Sequence, residues 1–579
     1  MNAMNAMNTN ILKFVFAAGA AVCSFSMAAQ NLDPTVVVDR TYEGKLLEVH
    51  KPALEMAVPD TVKQFDLDFD YSVFTNPYKG SYEFKPYQLL LKPVSADVER
   101  SSFWLKAGAG YSLYPELEAV WTPFQKGPFK MNVYADYGAY FGQYRDVRGY
   151  MSDDMKTCVI DNRKNEADGK RNFWKGYRMR SQAGVDGRYD WKKSAFDFDL
   201  GYFGIASKDK LKNRSYNAVD VNLGMASKPH HKNNFHYDLD LDYRFGKDYL
   251  PYSDGEKALN EHVFSFGAVM GSLNPSASSV LVDVDFDCVG YGGNFANAVG
   301  EIALTPHYIL EKKRWFIDLG LKLDLMFPQE ETGFYQQKGQ IVYPDVEIKY
   351  AMVRDALMMY LKAEGGNHIN TYSSILERNP FMGLEYMVSG KPFYLDTTVE
   401  RVNAKLGLDG RISRRFSYDI YAGYANYASA LLDAVGYMPG YAFASYQKVY
   451  AGIDWNWHAE SVDFDGKLEY EYAIEDEETP SYYLPAEFTG DVSFMYNWNR
   501  RVFAGVDCMF STSRKGYISS ELMAVIPGYA DLGVNAEYAV NRKFSVWLRG
   551  GNLLNMTIQH TPLYAEKGIS FTAGIRLNL

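Results

Sequence analysis

Cysteine is scarce: this 579-residue chain has 4, and one of them, Cys23, lies in an apolar leader. The remaining Cys158, Cys288 and Cys508 are an odd set without framework or metal-ligand spacing, which argues against a disulfide scaffold and a cysteine metal centre. Histidine is thin as well. Nine are spread mostly singly, and the adjacent pair His230 and His231 falls in a turn (SKPHHKNN) from which the side chains diverge, so no metal site is expected. No Ser/His/Asp grouping shares a strand face, so no catalytic residues are assigned and no enzyme is expected. Beyond the leader there is no run of about 18 apolar residues, which excludes membrane-spanning helices. Positive charge is in the minority, with 60 Lys+Arg against 71 Asp+Glu and a net charge of −11, leaving no basic face for a nucleic acid. The glycine-rich residues 290–293 (GYGG) lack a following helix or Lys-Ser/Thr and read as a turn, not a phosphate cradle. The acidic run 475–478 (EDEE) reads as a solvated loop. No cofactor is expected.

What is abundant is aromatic and alternating. The chain has 46 Tyr and 35 Phe, and tyrosine at that level suits a membrane interface, where one side of the ring is apolar and one end is wet. In residues 235–245 (FHYDLDLDYRF) the aromatic and leucine side chains occupy every second position, with charged residues between them. Successive strand side chains point to opposite faces, so such a ribbon is apolar on one side and charged on the other. The same beat returns at 196–202, 280–288, 315–327, 462–472 and 569–579.

Residues 1–28 read as a secretory signal, with Lys13 in the basic region, an apolar core over 14–25 and a Ser26-Met27-Ala28 cleavage site. Residues 29–100 are punctuated by Pro34, Pro52, Pro59, Pro77, Pro86 and Pro93 and form a short periplasmic or lumen-filling segment. From 101 to 579 the chain is a train of strands of roughly 10–15 residues, longer than soluble strands and long enough to cross a bilayer at a tilt. About 22 are expected, an even number within the range of bacterial outer-membrane barrels. Turn parity supports the count. Tight charged turns fall near 191–194, 311–314, 354–355, 413–415, 458–461, 499–500 and 541–542. With strands numbered from 102, those are even-to-odd turns, and the odd-to-even connections include the long ones, at 145–176, 247–257, 329–340, 373–395, 475–486, 513–528 and 556–568. Short periplasmic turns opposite long external loops are how such barrels are built. Trp191, Trp315, Trp457 and Trp498 lie beside tight turns, where an interfacial girdle belongs. The expected fold is therefore all-β: a transmembrane antiparallel outer-membrane β-barrel, its first and last strands paired so that no backbone group is orphaned in lipid.

The stretch 527–579, PGYADLGVNAEYAVNRKFSVWLRGGNLLN followed by a loop and GISFTAGIRLNL, resembles the barrel end of TonB-dependent outer-membrane receptors. The likeness rests on a Tyr-containing strand, a short turn, a strand ending in Asn552-Leu553 and a terminal amphipathic strand; the strand number extends it over residues 101–579. The resemblance implies a transport barrel in the cell outer membrane, inserted by the barrel-assembly machinery. Two departures stand out: the last residue is Leu579 where an aromatic is usual, and residues 30–99 are about half the length of that family's plug domain. Residues 34–40 (PTVVVDR), with Val36, Val37 and Val38, look like the box that docks the TonB energy protein.

Two site sets follow. Asp238, Asp240, Asp242, Asp283, Asp285, Asp287, Asp463, Asp465 and Glu469 should line the lumen, as a cation-attracting path or as ordinary lumen polarity. Phe65, Leu67 and Phe69 of FDLDFDY, like Val36–Val38, could dock a periplasmic or outer-membrane partner by adding a strand to its sheet. Two functions are open: solute transport across the outer membrane, or a structural or assembly subunit of an outer-membrane complex. A barrel this wide is normally obstructed, so residues 30–99, infolded loops or a partner are expected to fill it.

Overall fold

The chain divides into two units, Met1–Val94 and Ser95–Leu579. The computed structural model describes residues 102–579 apart from short loop stretches such as 229–234, 250–257, 329–334 and 475–479, with side chains of 383–394 also left aside. The docking candidates Val36, Val37, Val38, Phe65, Leu67 and Phe69, the pair His230 and His231, and the acidic run at 475–478 lie outside the described residues.

Alternation has the expected result. A single 22-stranded antiparallel sheet closes on itself. Its seam joins Phe103–Gly110 to Ser570–Asn578, in register from Trp104 opposite Asn578 to Gly110 opposite Thr572. The Phe103 and Leu579 backbones exchange hydrogen bonds of 2.9 and 2.8 Å. Closure leaves no edge, so every spanning strand has a partner on both sides, the condition for a sheet in lipid. Among the described residues no helix is long and apolar enough to cross a membrane.

The outer wall identifies its solvent. Along the strand Trp315–Pro328, Leu319, Leu321, Leu323 and Leu325 are each 36–47% exposed on one face. Asp318, Lys322 and Asp324 occupy the other. A belt of leucines left outward in water would forgo about 25 cal/mol for each Å² of apolar surface; in a bilayer it meets hydrocarbon. Ile569, Phe571, Ile575 and Leu579 are likewise exposed, while Ser570 and Thr572 are buried on the inner side.

Turn parity also holds. At one end the strands are joined tightly. Asn499 and Arg500 both have positive φ (53° and 56°), the backbone of a type I′ hairpin turn. The other end carries the long loops. Trp191, Trp315, Trp457 and Trp498 are exposed beside the tight turns, as a girdle requires. Tyrosine departs from the interface expectation. Tyr308, Tyr470, Tyr496 and Tyr538 do point outward, but many others face inward and donate hydrogen bonds: Tyr134 to Asp199, Tyr360 to Asp419, Tyr421 to Glu469, and Tyr450 to Asn403. Much of the tyrosine therefore builds the polar interior.

At the long-loop end two connections combine. Arg148–Met151, Thr157–Asp161, Leu522–Ile526 and Arg514–Ser519 form a separate four-stranded sheet. Its central pair is parallel, with Met523 opposite Thr157.

Candidate functional site

The inner wall has two electrostatic halves. On the first, the strands Phe235–Asp248 and Ser278–Gly292 flank Asn260–Ser272. Register puts Asp242, Ser265 and Asp287 in one row, Asp240, Gly267 and Asp285 in the next, and Asp238, Val269 and Asp283 in the third. Two columns of aspartates thus face the lumen across a strand that contributes no charge in these three rows. Of these six, Asp283 alone has a basic side chain within 4.0 Å among the described residues: His307 Nε2 lies 3.4 Å away, while its Nδ1 is 3.0 Å from Asp318. Above Asp242 the sequence reverses sign. Arg244 is bound to Asp220 at 2.6 Å and ends the column.

The second half is balanced. Asp463 is 2.8 Å from His458, and Glu469 takes hydrogen bonds from Tyr421 (2.8 Å) and Lys467 (3.2 Å). Asp465 faces inward between them on the strand Val462–Ile474, one carboxylate oxygen without a partner. Lys405 pairs with Asp419 and lies 3.7 Å from the Tyr421 ring centroid, and Lys448 pairs with Glu471. A recess of about 670 Å³ on this wall is lined by both signs of charge, Glu347, Lys349, Lys362, Lys405 and Asp454 among them. The nine acidic residues read from sequence therefore form two groups with different surroundings, one largely free of basic neighbours and one in which Asp463 and Glu469, though not Asp465, have a basic side chain within 4.0 Å.

Residues 370–382, at the start of the next long connection, fold inward onto the first half. Its helix, Tyr372–Arg378, begins at Thr371, whose side chain caps Ser374 N–H in a reciprocal capping box. Ile375 and Leu376 bury against Phe203, Ile205, Leu259, Val289 and Val299. Polar contacts fix the position. Tyr372 donates to Asp248 (2.8 Å), the Tyr335 hydroxyl to the Asn370 carbonyl (2.7 Å), and Ser207 to the Pro380 carbonyl (2.5 Å). Arg244 reaches Glu377 at 3.4 Å, and Arg378 reaches Asp433 at 3.5 Å. At the centre is Glu261, fully buried. It accepts from Tyr216 (2.5 Å), Tyr291 (3.2 Å) and Ser373 N–H (3.2 Å). A buried carboxyl is tolerable when its lone pairs are satisfied in this way. Gly246 makes room for it: a Cβ there would overlap the Tyr216 hydroxyl. At the far end of the loop, burial pushes the Asp396 carboxyl up, opposed by N–H groups of Gln337 and Thr397 that donate to it.

Sequence reading placed the long connection but missed the helix and the pocket of Glu261, Tyr216 and Tyr291. The available signal was parity. Tyr216, Glu261 and Tyr291 all stand at inward positions near the upper ends of long strands.

No family model matches the chain, and no curated protein does. Solved structures match its fold. The siderophore receptor PirA from Acinetobacter baumannii aligns with a TM-score of 0.60 at 10% identity, over 82% of this chain and 80% of that one. The FrpB iron transporter from Neisseria meningitidis gives 0.61 at 9%, over 83% and 81%. The ferric enterobactin receptor PfeA from Pseudomonas aeruginosa gives 0.59 at 9%, over 83% and 81%. With strand number, closure, lipid-facing belt and loop parity all in agreement, the chain has the 22-stranded outer-membrane barrel fold of TonB-dependent siderophore and iron receptors.

Proposed function

We propose that the protein carries a solute across the outer membrane through its lumen, with the connection over 370–396 governing passage. The observation that carries this reading is the infolded helix Tyr372–Arg378, tied to the charged inner wall through Glu261, Asp248 and Arg244. A polar interior is common to such barrels, but a barrel serving only as a membrane anchor has no need of a loop pinned across part of it. The receptors of like fold are siderophore and iron transporters, which supports uptake as the direction. Energy coupling would run through residues 34–40, with Val36, Val37 and Val38 pairing with a TonB-type partner, and Phe65, Leu67 and Phe69 offering a second strand-like edge.

Planar-bilayer recording tests the reading. Wild-type protein should conduct little, and deletion of residues 372–382 should open a large, steady conductance. A large conductance in the wild type, or silence after both this deletion and removal of residues 30–99, would overturn it. The four-stranded loop sheet favours a second reading, a scaffold that presents this sheet to another protein. Purification from native membranes separates the two: a stoichiometric protein complex supports the scaffold, and a lone barrel with bound solute supports transport.

A further inference from the structure

A second cavity, of about 340 Å³, lies at the long-loop end between the infolded loop, the terminal connection over 552–569 and three neighbouring strands. Those strands are Tyr114–Phe124, Phe129–Arg145 and Phe173–Asp190. One wall is aromatic and tightly built. Tyr144 stacks on Trp174 at 4.5 Å between centroids and meets Tyr140 edge-on at 5.2 Å. The remaining lining is charged, and its accounting is uneven. Arg178 is engaged by Glu566 at 3.2 Å, and Glu377 by Arg244 at 3.4 Å. Two cations are left over. Lys567 holds its ammonium 3.4 Å from the centroid of the Tyr114 ring, and Arg180 holds its guanidinium 5.8 Å from that of Phe203. Among the described residues neither has a carboxylate within the 4.0 Å ion-pair distance. Asp136 also lines the cavity and pairs with neither.

Two cations beside aromatic faces and without an ion-pair partner, Lys567 half-buried and Arg180 open to the lumen, are what an incoming anion would complete. Arginine offers a planar fork that matches carboxylate or phosphate, and lysine a point charge beside it. The tyrosine wall would accept the flat face of a ring. We propose that this cavity binds a small organic anion, a carboxylate or phosphate on an aromatic or similarly flat body, with Arg180 and Lys567 as its charge partners and Tyr114 and Tyr140 against its ring. The proposal names a substrate class for the transport reading and rests on that reading for its physiological sense, whereas binding itself does not depend on transport.

The test is calorimetric titration of the full-length, detergent-folded protein with phenyl phosphate and benzoate, using benzyl alcohol as the uncharged analogue. Both anions should bind saturably, and benzyl alcohol should neither bind nor compete. R180Q and K567Q should each weaken binding by about tenfold, the usual worth of one charge-assisted hydrogen bond. R180K should fall between wild type and R180Q, because it keeps charge and loses the fork. D136N should tighten binding, an effect that misfolding cannot produce, so the test survives if an arginine variant fails to fold. Absence of saturable binding, equal affinity in wild type, K567Q and D136N, or competition by benzyl alcohol would overturn the proposal. Uptake of the same anions by intact cells that produce the protein, and so supply an energy-coupling partner, is scored separately. Uptake without cavity binding would sink this inference alone, and binding without uptake would sink the transport reading alone.

Discussion

Lys567 shows how one residue can be set by its surroundings. Burial, with help from Arg549 and Arg178 and against Glu566 and Asp531, lowers its ammonium to about 8. The Tyr114 ring faces it from the neighbouring strand. A lowered lysine carries its charge below that value and loses it above, so anion affinity should fall as pH rises from 7 to 9. Lys567→Arg should keep its affinity across the same interval, since guanidinium does not titrate there; titrations at several pH values check both. Glu261 poses the opposite problem, a buried acceptor served by three donors. Tyr372→Phe removes one neutral donor nearby and should loosen the helix by about 1 kcal/mol. Glu261→Ala breaks all three contacts and should raise hydrogen exchange over residues 370–382 well beyond that of Tyr372→Phe. The alternation of single residues was legible in the sequence, because the side-chain period of a strand is two. Their partners were not. Whether a carboxylate meets Lys405 or open lumen depends on which strands lie side by side, and no local pattern carries that.

Among the elements, the seam is the most exacting. Trp547 points inward and lies over two glycines, Gly108 and Gly574, and its indole N–H donates to the Ile575 carbonyl at 3.3 Å. A Cβ on Gly574 would overlap the Ala107 carbonyl as well as the indole. Relief would require backbone movement between the first and last strands. Gly574→Ala should therefore cost about 1–3 kcal/mol, the usual penalty of overpacking. A lower temperature of conversion to the unfolded band on heat-modifiability gels would report it, and an unchanged temperature would remove the steric argument. The strands were readable because each is long and strictly periodic. The helix Tyr372–Arg378 was not. Seven residues are too few for a periodic signal, and such a helix persists here through packing against Phe203 and Leu259. The four-stranded loop sheet was equally hidden, since its parallel pair joins residues hundreds apart in sequence.

At the scale of the whole molecule, charge is segregated: aspartate columns on one inner wall, balanced pairs on the other, and surplus cations at the long-loop end. Once the infolded loop is deleted, conduction should favour small cations, and the triple change D238N/D240N/D242N should move the potassium-to-chloride permeability ratio toward unity. Reversal potentials in a salt gradient measure it, and an unaltered ratio would show that these carboxylates do not shape the field along the path. The barrel itself was the most legible feature, because turn parity and lipid-facing periodicity are global constraints that one misplaced strand would have broken. Its contents were the least legible. The seam also has a consequence for biogenesis. One edge of the strand Phe103–Gly110 pairs with the strand that follows it, but its other edge finds its partner only in Ser570–Asn578, so the sheet cannot be sealed while the chain is still emerging. Until that last strand arrives, the first strand keeps an open row of backbone donors and acceptors, the kind of edge on which chains aggregate.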